Sequence, residues 1–271
     1  MAHNLAFSIK KHNPALKIGL WIDPTIKAAL PDHKLFSDIR DLPTQYFQDH
    51  KGRVDPAKAK TKYYELGLQM ADKFMFLDVD GICMADMQPI LDHLDGSTFS
   101  TEVVGKGGRN DAIHYSPWVS NETMWATFDL KPNAILCGIQ SSWMYYERSK
   151  FCDTMQQHLD YHMAIGVPKN LLLIDWGGTL PDELIYQGVC AKLGVIPSMP
   201  IHAPRTVVFF GDKFAKATLQ EVRDNYYVLA LYGHRLVQKQ YLKLADTLMR
   251  EYGDPYGYTT EIVMKDKHAK G

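Results

Sequence analysis

The sequence lacks the features that mark membrane proteins, disulfide-stabilised domains and polyanion-binding proteins. Its 271 residues contain no apolar run near membrane-spanning length, and Met1–Asn4 show no signal-peptide pattern. The cysteines are too few for a disulfide framework and lack metal-site spacing: Cys83, Cys137, Cys152 and Cys190. The 30 basic residues nearly balance the 31 acidic residues, so no overall positive field recruits a polyanion. We therefore expect a cytoplasmic protein without a membrane partner.

The composition is that of a folded protein with a substantial core. Apolar residues make up 46% of the chain and aromatic residues 11%, which excludes a disordered polypeptide. The length allows one large domain, and no repeat, low-complexity tract or clear linker interrupts it. We predict one domain over residues 1–252, followed by a polar tail at 253–271.

Two carboxylates follow a short apolar run near the middle of the chain. Phe74–Leu77 predicts a buried strand, and Asp78 and Asp80 come directly after it, ahead of Gly81. Residues i and i+2 of a strand point to the same side, and open α/β sheets bind ligands at the carboxyl ends of their strands. Carboxylate oxygens favour a hard cation such as Mg²⁺ or Mn²⁺, which also bridges a diphosphate. The alternative is two acids at a solvated strand end.

Helical and strand patterns alternate along the rest of the chain, which favours an α/β sheet with parallel strands. The predicted helices are 4–13, 57–70, 86–94, 149–165, the segment opening near 181 and ending at 193, and 236–252. The predicted strands are 17–22, 35–42, 74–77, 134–139, 143–146, 171–174, 206–210 and 226–231, with Gln140–Ser142 separating the fourth and fifth.

Two further groups of polar residues lie on predicted helices. His158 and His162 have the i, i+4 spacing of a metal-binding pair, but Leu159 stands where metalloproteases carry a glutamate, so we favour packed or surface histidines. Asp182 and Glu183 follow Pro181 in the first turn of a helix, a position that favours acids on structural grounds alone.

These segments together resemble a nucleotide-sugar glycosyltransferase of the A-type fold, closest in pattern to the glycogenin-like retaining enzymes. The matching segments are Ser8–Pro14 as the first-helix ending, Thr61-Lys62 before Asp-x-Asp, Gln140–Ser142 in place of Asn-x-Gly, and Asp182-Glu183 in place of Asp-Gln. The resemblance covers about residues 5–250. It implies a Rossmann-like, single-domain α/β nucleotide-diphospho-sugar transferase fold with a mixed, mostly parallel sheet.

The resemblance also implies a role for each matching residue. Asp78 and Asp80 would hold Mn²⁺ or Mg²⁺ against the donor diphosphate, with His234 (or His202) as third ligand. Lys62 would contact the donor and offset the charge of the leaving group. Asp182 would face the reacting sugar, with Gln140 and Ser142 beside it. A metal-dependent transfer from a UDP-linked sugar, with retention of configuration, follows from this resemblance.

Two departures from the family pattern bear on this reading. Gln140 and Ser142 replace the usual Asn and Gly, a difference that would act on donor choice. The sequence begins almost inside its first helix, where the family has a preceding strand that helps to hold the nucleotide base: either the true start lies upstream, or the nucleotide pocket is incomplete or rebuilt.

Other interpretations stay open. A haloacid-dehalogenase-type phosphatase with Asp78 as nucleophile matches Leu77–Gly81, although Ile82 stands where that family has Thr. A catalytically inactive binding protein on the transferase fold is the third. The acceptor is not readable from the sequence: a sugar, a protein hydroxyl or a modified nucleic-acid base all remain open.

Overall fold

The described residues form two compact units, each assembled from separate stretches of the chain. A computed structural model describes residues 2–48, 55–79, 81–104, 116–173, 181–197, 205–209, 220, 226–230 and 246–255. The first unit comprises Met1–Arg40, Leu77–His93 and Pro200–Gly271, and the second comprises Asp41–Phe76 and Leu94–Met199. The single-domain prediction for residues 1–252 stays a prediction.

The first unit is built around a three-stranded sheet. Strand β4 (Gly81–Cys83) pairs antiparallel with β8 (Tyr226–Ala230), and β8 pairs parallel with β7 (Arg205–Phe209). Helix α1 (Ala2–His12) packs against β4 and ends in a basic turn, as expected before Pro14. A second, two-stranded sheet joins β1 (Gly19–Ile22) to β2 (Asp38–Asp41). Helix α5 (Gln88–Leu94) follows β4, and residues 246–252 are helical.

Side chains in α1 and directly after it anchor the chain that follows Asp78. The Ser8 hydroxyl accepts a hydrogen bond from the buried Cys83 amide at 2.8 Å. The Asn13 side chain accepts from the Met87 amide at 2.9 Å and donates to Asp86. The first helix therefore fixes the position of β4 and of the start of α5.

The second unit contains a three-stranded sheet covered by helices. Strand β3 (Lys73–Leu77) lies beside β6 (Gly138–Glu147), which pairs antiparallel with β5 (Phe99–Val104). Helix α8 (Asp182–Leu193) contacts both β6 and α7 (Lys150–Ile165), and its residues 184–190 are all buried. The remaining helices are α2 (Thr44–Phe47), α3 (Pro56–Lys60), α4 (Tyr63–Leu68) and α6 (Asn121–Thr127). The predicted mixed α/β architecture is confirmed.

Three predicted elements differ from the structure. The helix predicted over 57–70 is two helices, α3 and α4, because the Thr61 hydroxyl donates back to the Lys58 carbonyl at 2.9 Å and Lys62 leaves the helical conformation. The strand predicted at 171–174 was wrong over its described part: Lys169–Leu171 is a 3₁₀ turn, and Leu173 is 65% exposed.

The third difference concerns β6. Of the strand predicted at 134–139 only residues 138 and 139 lie in β6, which then continues through Gln140–Ser142 and the strand predicted at 143–146 as one strand with an irregular pairing in its middle.

No helix among the described residues combines the length and apolar character needed to cross a bilayer.

Candidate active site

Asp78 lies at the carboxyl end of β3, as predicted. It directly follows Leu77, the last residue of that strand, and is half-buried, whereas the next residue, Val79, is exposed. Its carboxylate oxygens are hard ligands of the kind that Mg²⁺ and Mn²⁺ prefer. The chemistry and position of Asp78 therefore fit the predicted metal and diphosphate site.

The other predicted metal ligands, Asp80, His234 and His202, lie outside the described residues. Among the residues that are described, no three His, Cys, Asp or Glu side chains are grouped to hold a metal. The three-ligand site therefore stays a prediction.

His162, the second histidine of the i, i+4 pair on α7, is packed in the protein interior. His162 is only 3% exposed, and its ring lies 4.4 Å from that of Phe128. Neither of its ring nitrogens has a hydrogen-bond partner among the described residues. Burial, with additional contributions from Lys192 and His158, lowers the pKa of His162 to about 4. His162 is therefore neutral at physiological pH.

Lys62 is held within an ion-pair network in the second unit. Its ammonium group lies 2.7 Å from the Asp160 carboxylate and 3.2 Å from that of Glu65. It also lies over the ring of Tyr46, 5.6 Å from the centroid. Burial works to lower the pKa of Lys62, but the hydrogen bond and charge of Asp160 outweigh it, so the pKa is raised. Lys62 is a cation already neutralised by two acids, and its contact with a donor stays a prediction.

The segment predicted to lie beside the donor sugar is a bulge in β6. Thr101 of β5 lies opposite Met144, but its neighbour Glu102 lies opposite Gln140, so Ser141–Trp143 have no opposing residues on β5. The Thr101 hydroxyl lies 2.8 Å from the Gln140 carbonyl and 2.9 Å from that of Trp143, and donates its one proton to this pair. Bulges of this kind interrupt a ladder and redirect the side chains within it.

Asp182 is the first residue of α8, where the helix dipole favours a negative charge. The residue keeps some exposure, but its Oδ2 atom is buried and has no hydrogen-bond partner among the described residues. Burial raises the pKa of the Asp182 carboxyl, while the charge of Lys60 and a hydrogen bond from the Ser141 hydroxyl act in the opposite direction.

Four buried polar atoms on β6 and α8 have no hydrogen-bond partner in the described part of the chain. These atoms are Gln140 Oε1, Ser142 Oγ, Trp143 Nε1 and Asp182 Oδ2. An unsatisfied buried polar atom costs about 1–3 kcal/mol, so such groups usually serve a ligand or a bound water. The structure thus brings the predicted residues Gln140, Ser142 and Asp182 into one unit, each with an unused hydrogen-bonding atom.

Sequence reasoning missed Lys60 and Ser141. The Lys60 ammonium lies 3.3 Å from the Ser141 hydroxyl and acts on the charge of Asp182. Lys60 and Lys62 are two residues apart, so only the break between α3 and α4 decides which of them faces β6. That break was not recognised in the sequence.

Comparisons with known proteins bear on the fold. No protein-family model matches the chain, and no curated protein matches it. The solved structure of the galactosyltransferase LgtC in complex with donor and acceptor sugar analogs matches 93% of this chain and 96% of its own, with a TM-score of 0.52 and 14% identity. The apo structure of the bifunctional glycosyltransferase WbbM matches 90% of this chain and 47% of its own, with a TM-score of 0.56 and 12% identity.

At these identities the matches establish the fold. The alignment covers nearly the whole chain in both cases and includes both units described above. The glycogenin-like subtype stays a prediction. The chain has the A-type fold of nucleotide-sugar glycosyltransferases.

Proposed function

We propose that this protein is a metal-dependent glycosyltransferase that takes its sugar from a UDP-linked donor. The observation that carries the proposal is the shared fold with LgtC, a galactosyltransferase solved with donor and acceptor sugar analogs, over 93% of the chain. Buried polar atoms on β6 and at the start of α8 that have no hydrogen-bond partner among the described residues support it, because a sugar presents many hydroxyl groups to such atoms.

The diphosphate end of the donor belongs at Asp78. In this proposal Asp78 and Asp80 hold Mn²⁺ or Mg²⁺, with His234 as the third ligand. Bound metal supplies positive charge that stabilises the departing diphosphate. Lys62 adds to this charge if donor binding draws it from Asp160 and Glu65, to which it is paired in the described structure.

The sugar end of the donor belongs beside β6 and α8. In this proposal Asp182 faces the reacting sugar and offers its Oδ2 atom, which no described residue hydrogen-bonds, while Gln140 and Ser142 bind sugar hydroxyls. Retention of configuration rests on the resemblance to the glycogenin-like enzymes. The size of the transferred sugar, hexosyl or pentosyl, and the acceptor are left open by this proposal.

Calorimetric titration of UDP in the presence of Mn²⁺ tests the role of Asp78. We expect Asp78→Ala to weaken UDP binding by tenfold or more, about 1.4 kcal/mol, because the bridging cation loses a ligand. Asp92→Ala is the matched control, since Asp92 is an exposed acid on α5 whose carboxylate accepts a hydrogen bond from Gln88. Equal affinity in the wild type and Asp78→Ala would remove Asp78 from the donor site.

The remaining interpretations give different results in the same experiments. A covalent aspartyl-phosphate trapped on Asp78 would support the phosphatase, which the A-type fold does not favour. Binding of UDP-sugars without any turnover would support an inactive binding protein on the transferase fold.

A further inference from the structure

Side chains from β5 and from α8 hold the main chain of the β6 bulge. On the β5 side, the Thr101 hydroxyl lies 2.8 Å from the Gln140 carbonyl and 2.9 Å from that of Trp143, at the two ends of the bulge. On the α8 side, the Ser141 amide donates to the Glu183 carboxylate at 3.1 Å. All five residues belong to the second unit. Because Ser141 has no opposing residue on β5, a side chain of the helix takes the place of a strand partner for its amide.

The hydrogen bond between Ser141 and Glu183 is well placed to be a firm one. A bond from an amide to a carboxylate is charge-assisted and about twice as strong as a bond between neutral groups. Ser141 is 2% exposed, so little water competes for its amide. Glu183 is the second residue of α8, where the helix dipole favours a negative charge. The first turn of α8 is therefore tied to the bulge.

The two residues beside Ser141 carry polar atoms that are available to a ligand. Gln140 Oε1 and Ser142 Oγ are buried and have no hydrogen-bond partner among the described residues. Since each is directly bonded to Ser141 along the chain, a shift of the Ser141 main chain would change where both side chains point. A misplacement of about 1 Å is enough to cost on the order of a hundredfold in the rate of an enzyme.

We propose that Glu183 is a positioning residue, which accepts from the Ser141 amide and so fixes the bulge with Gln140 and Ser142 directed at the donor sugar. The part of this inference that concerns the sugar rests on the proposed function, whereas the hydrogen bond is a property of the protein without ligand. Glu183 exchanges no proton with the substrate in this role. Its side chain needs only an acceptor oxygen at the right reach, which glutamine also offers and the shorter aspartate does not.

Hydrogen exchange of the Ser141 amide tests the bond without any ligand. Exchange rates are measured by NMR on protein labelled with ¹⁵N-serine, and Ser141→Ala identifies the resonance. We expect exchange at Ser141 to be about tenfold or more faster in Glu183→Ala and Glu183→Asp, but within about threefold of wild type in Glu183→Gln. The Ser149 amide, which donates to the Tyr64 hydroxyl at 3.3 Å in the same unit, is the internal reference and should exchange at its wild-type rate throughout.

The choice of variants separates the hydrogen bond from charge and from folding. Glu183→Asp keeps the negative charge at the start of α8, so it tests reach alone and serves if Glu183→Ala fails to fold. Glu122→Ala is the matched control, because Glu122 is an exposed acid at the second position of α6, and it should leave exchange at Ser141 unchanged. A wild-type rate at Ser141 in Glu183→Asp would overturn the bond, and so would a Glu183→Gln rate as fast as that of Glu183→Asp.

Binding and kinetics test the positioning role, using the UDP-sugar that the wild-type protein turns over. We expect Glu183→Ala and Glu183→Asp to lower kcat/KM for this donor by about 10- to 100-fold, because the bulge serves the sugar. The Kd of UDP with Mn²⁺ should stay within about twofold of wild type, because the diphosphate is bound elsewhere. Glu183→Gln should keep kcat/KM within about threefold of wild type and leave the pH profile of kcat unchanged.

Two outcomes of the kinetic experiment would overturn the positioning role. An inactive Glu183→Gln protein, or one with a changed pH profile, would make Glu183 an acid-base group. Equal losses of affinity for UDP and for the UDP-sugar in Glu183→Asp would show a general disturbance instead of one confined to the sugar.

The two experiments separate failure of the inference from failure of the proposed function. If the wild type binds and turns over no UDP-sugar, the glycosyltransferase proposal fails, and the role of Glu183 toward the sugar fails with it. Hydrogen exchange would still confirm or overturn the bond between Glu183 and the Ser141 amide.

Discussion

Replacing His162 with leucine should make the protein less sensitive to acid. His162 is buried and neutral in the folded protein, and its pKa is lowered to about 4 from an ordinary value of 6.5. As the pH falls below 6.5 the unfolded chain binds a proton that the folded chain does not. Stability is therefore lost between pH 6.5 and about 4, and this group causes no further loss below that range.

The size of this effect follows from the shift in pKa. Each pH unit of difference corresponds to about 1.4 kcal/mol, so the full effect is about 3 kcal/mol, and roughly 2.5 kcal/mol of it is present at pH 4.5. His162→Leu also removes two buried nitrogens that have no hydrogen-bond partner in the part of the chain that the structure describes, which should stabilise the protein at neutral pH by about 1–3 kcal/mol.

Urea unfolding at pH 7.5, 6.5, 5.5 and 4.5 measures both effects. The difference in free energy of unfolding between His162→Leu and wild type should grow by roughly 2.5 kcal/mol from pH 7.5 to 4.5. Met163→Leu, a change of similar volume on the same helix, introduces no titration and should give the same difference at every pH. A pH-independent difference for His162→Leu would refute the assignment of a buried neutral histidine.

Three other changes test the packing around the candidate site, each by urea unfolding. Thr101→Val should cost about 1–3 kcal/mol, because two carbonyls of the β6 bulge lose their donor, whereas Thr101→Ser should stay near wild type. Gly188→Ala should cost about 1–3 kcal/mol, because the new methyl group would overlap the ring of Phe128, and adding Phe128→Leu should recover part of the loss. Tyr186→Phe should cost about 1 kcal/mol through the lost hydrogen bond to the Lys60 carbonyl, and a wild-type stability would contradict that bond.

Helix ends were predictable because local residues determine them. Pro14 stops α1 close to where its pattern ends, and Ser149 caps α7 by accepting from the Cys152 amide at 3.1 Å. Gly194 ends α8 in the left-handed conformation that glycine adopts without strain. The position of Asp78 after β3 was predictable for a similar reason, since a short apolar run and the acid that ends it are adjacent in sequence.

The site could be predicted only in part, because its geometry depends on distant contacts. Gln140–Ser142 showed an irregularity in sequence, but the strand continues through it because Thr101, some forty residues earlier, holds both sides of the bulge. Lys60 was missed because the apolar spacing of 57–70 also fits one unbroken helix. The break at Thr61 places Lys60 beside β6 and Lys62 beside Asp160. No pattern of residue types along the chain carries that information.

The most direct test of the proposed function is the thermal unfolding midpoint of the wild-type protein against a panel of nucleoside diphosphates and their sugars, with and without Mn²⁺. A ligand present at a hundredfold excess over its Kd stabilises the native state by about 2.7 kcal/mol, which is readily measured as a higher midpoint. We predict a shift that requires Mn²⁺ and that, within the panel, occurs with UDP and a UDP-linked sugar. An unchanged midpoint with every nucleotide and every sugar, in the presence of Mn²⁺, would contradict the account.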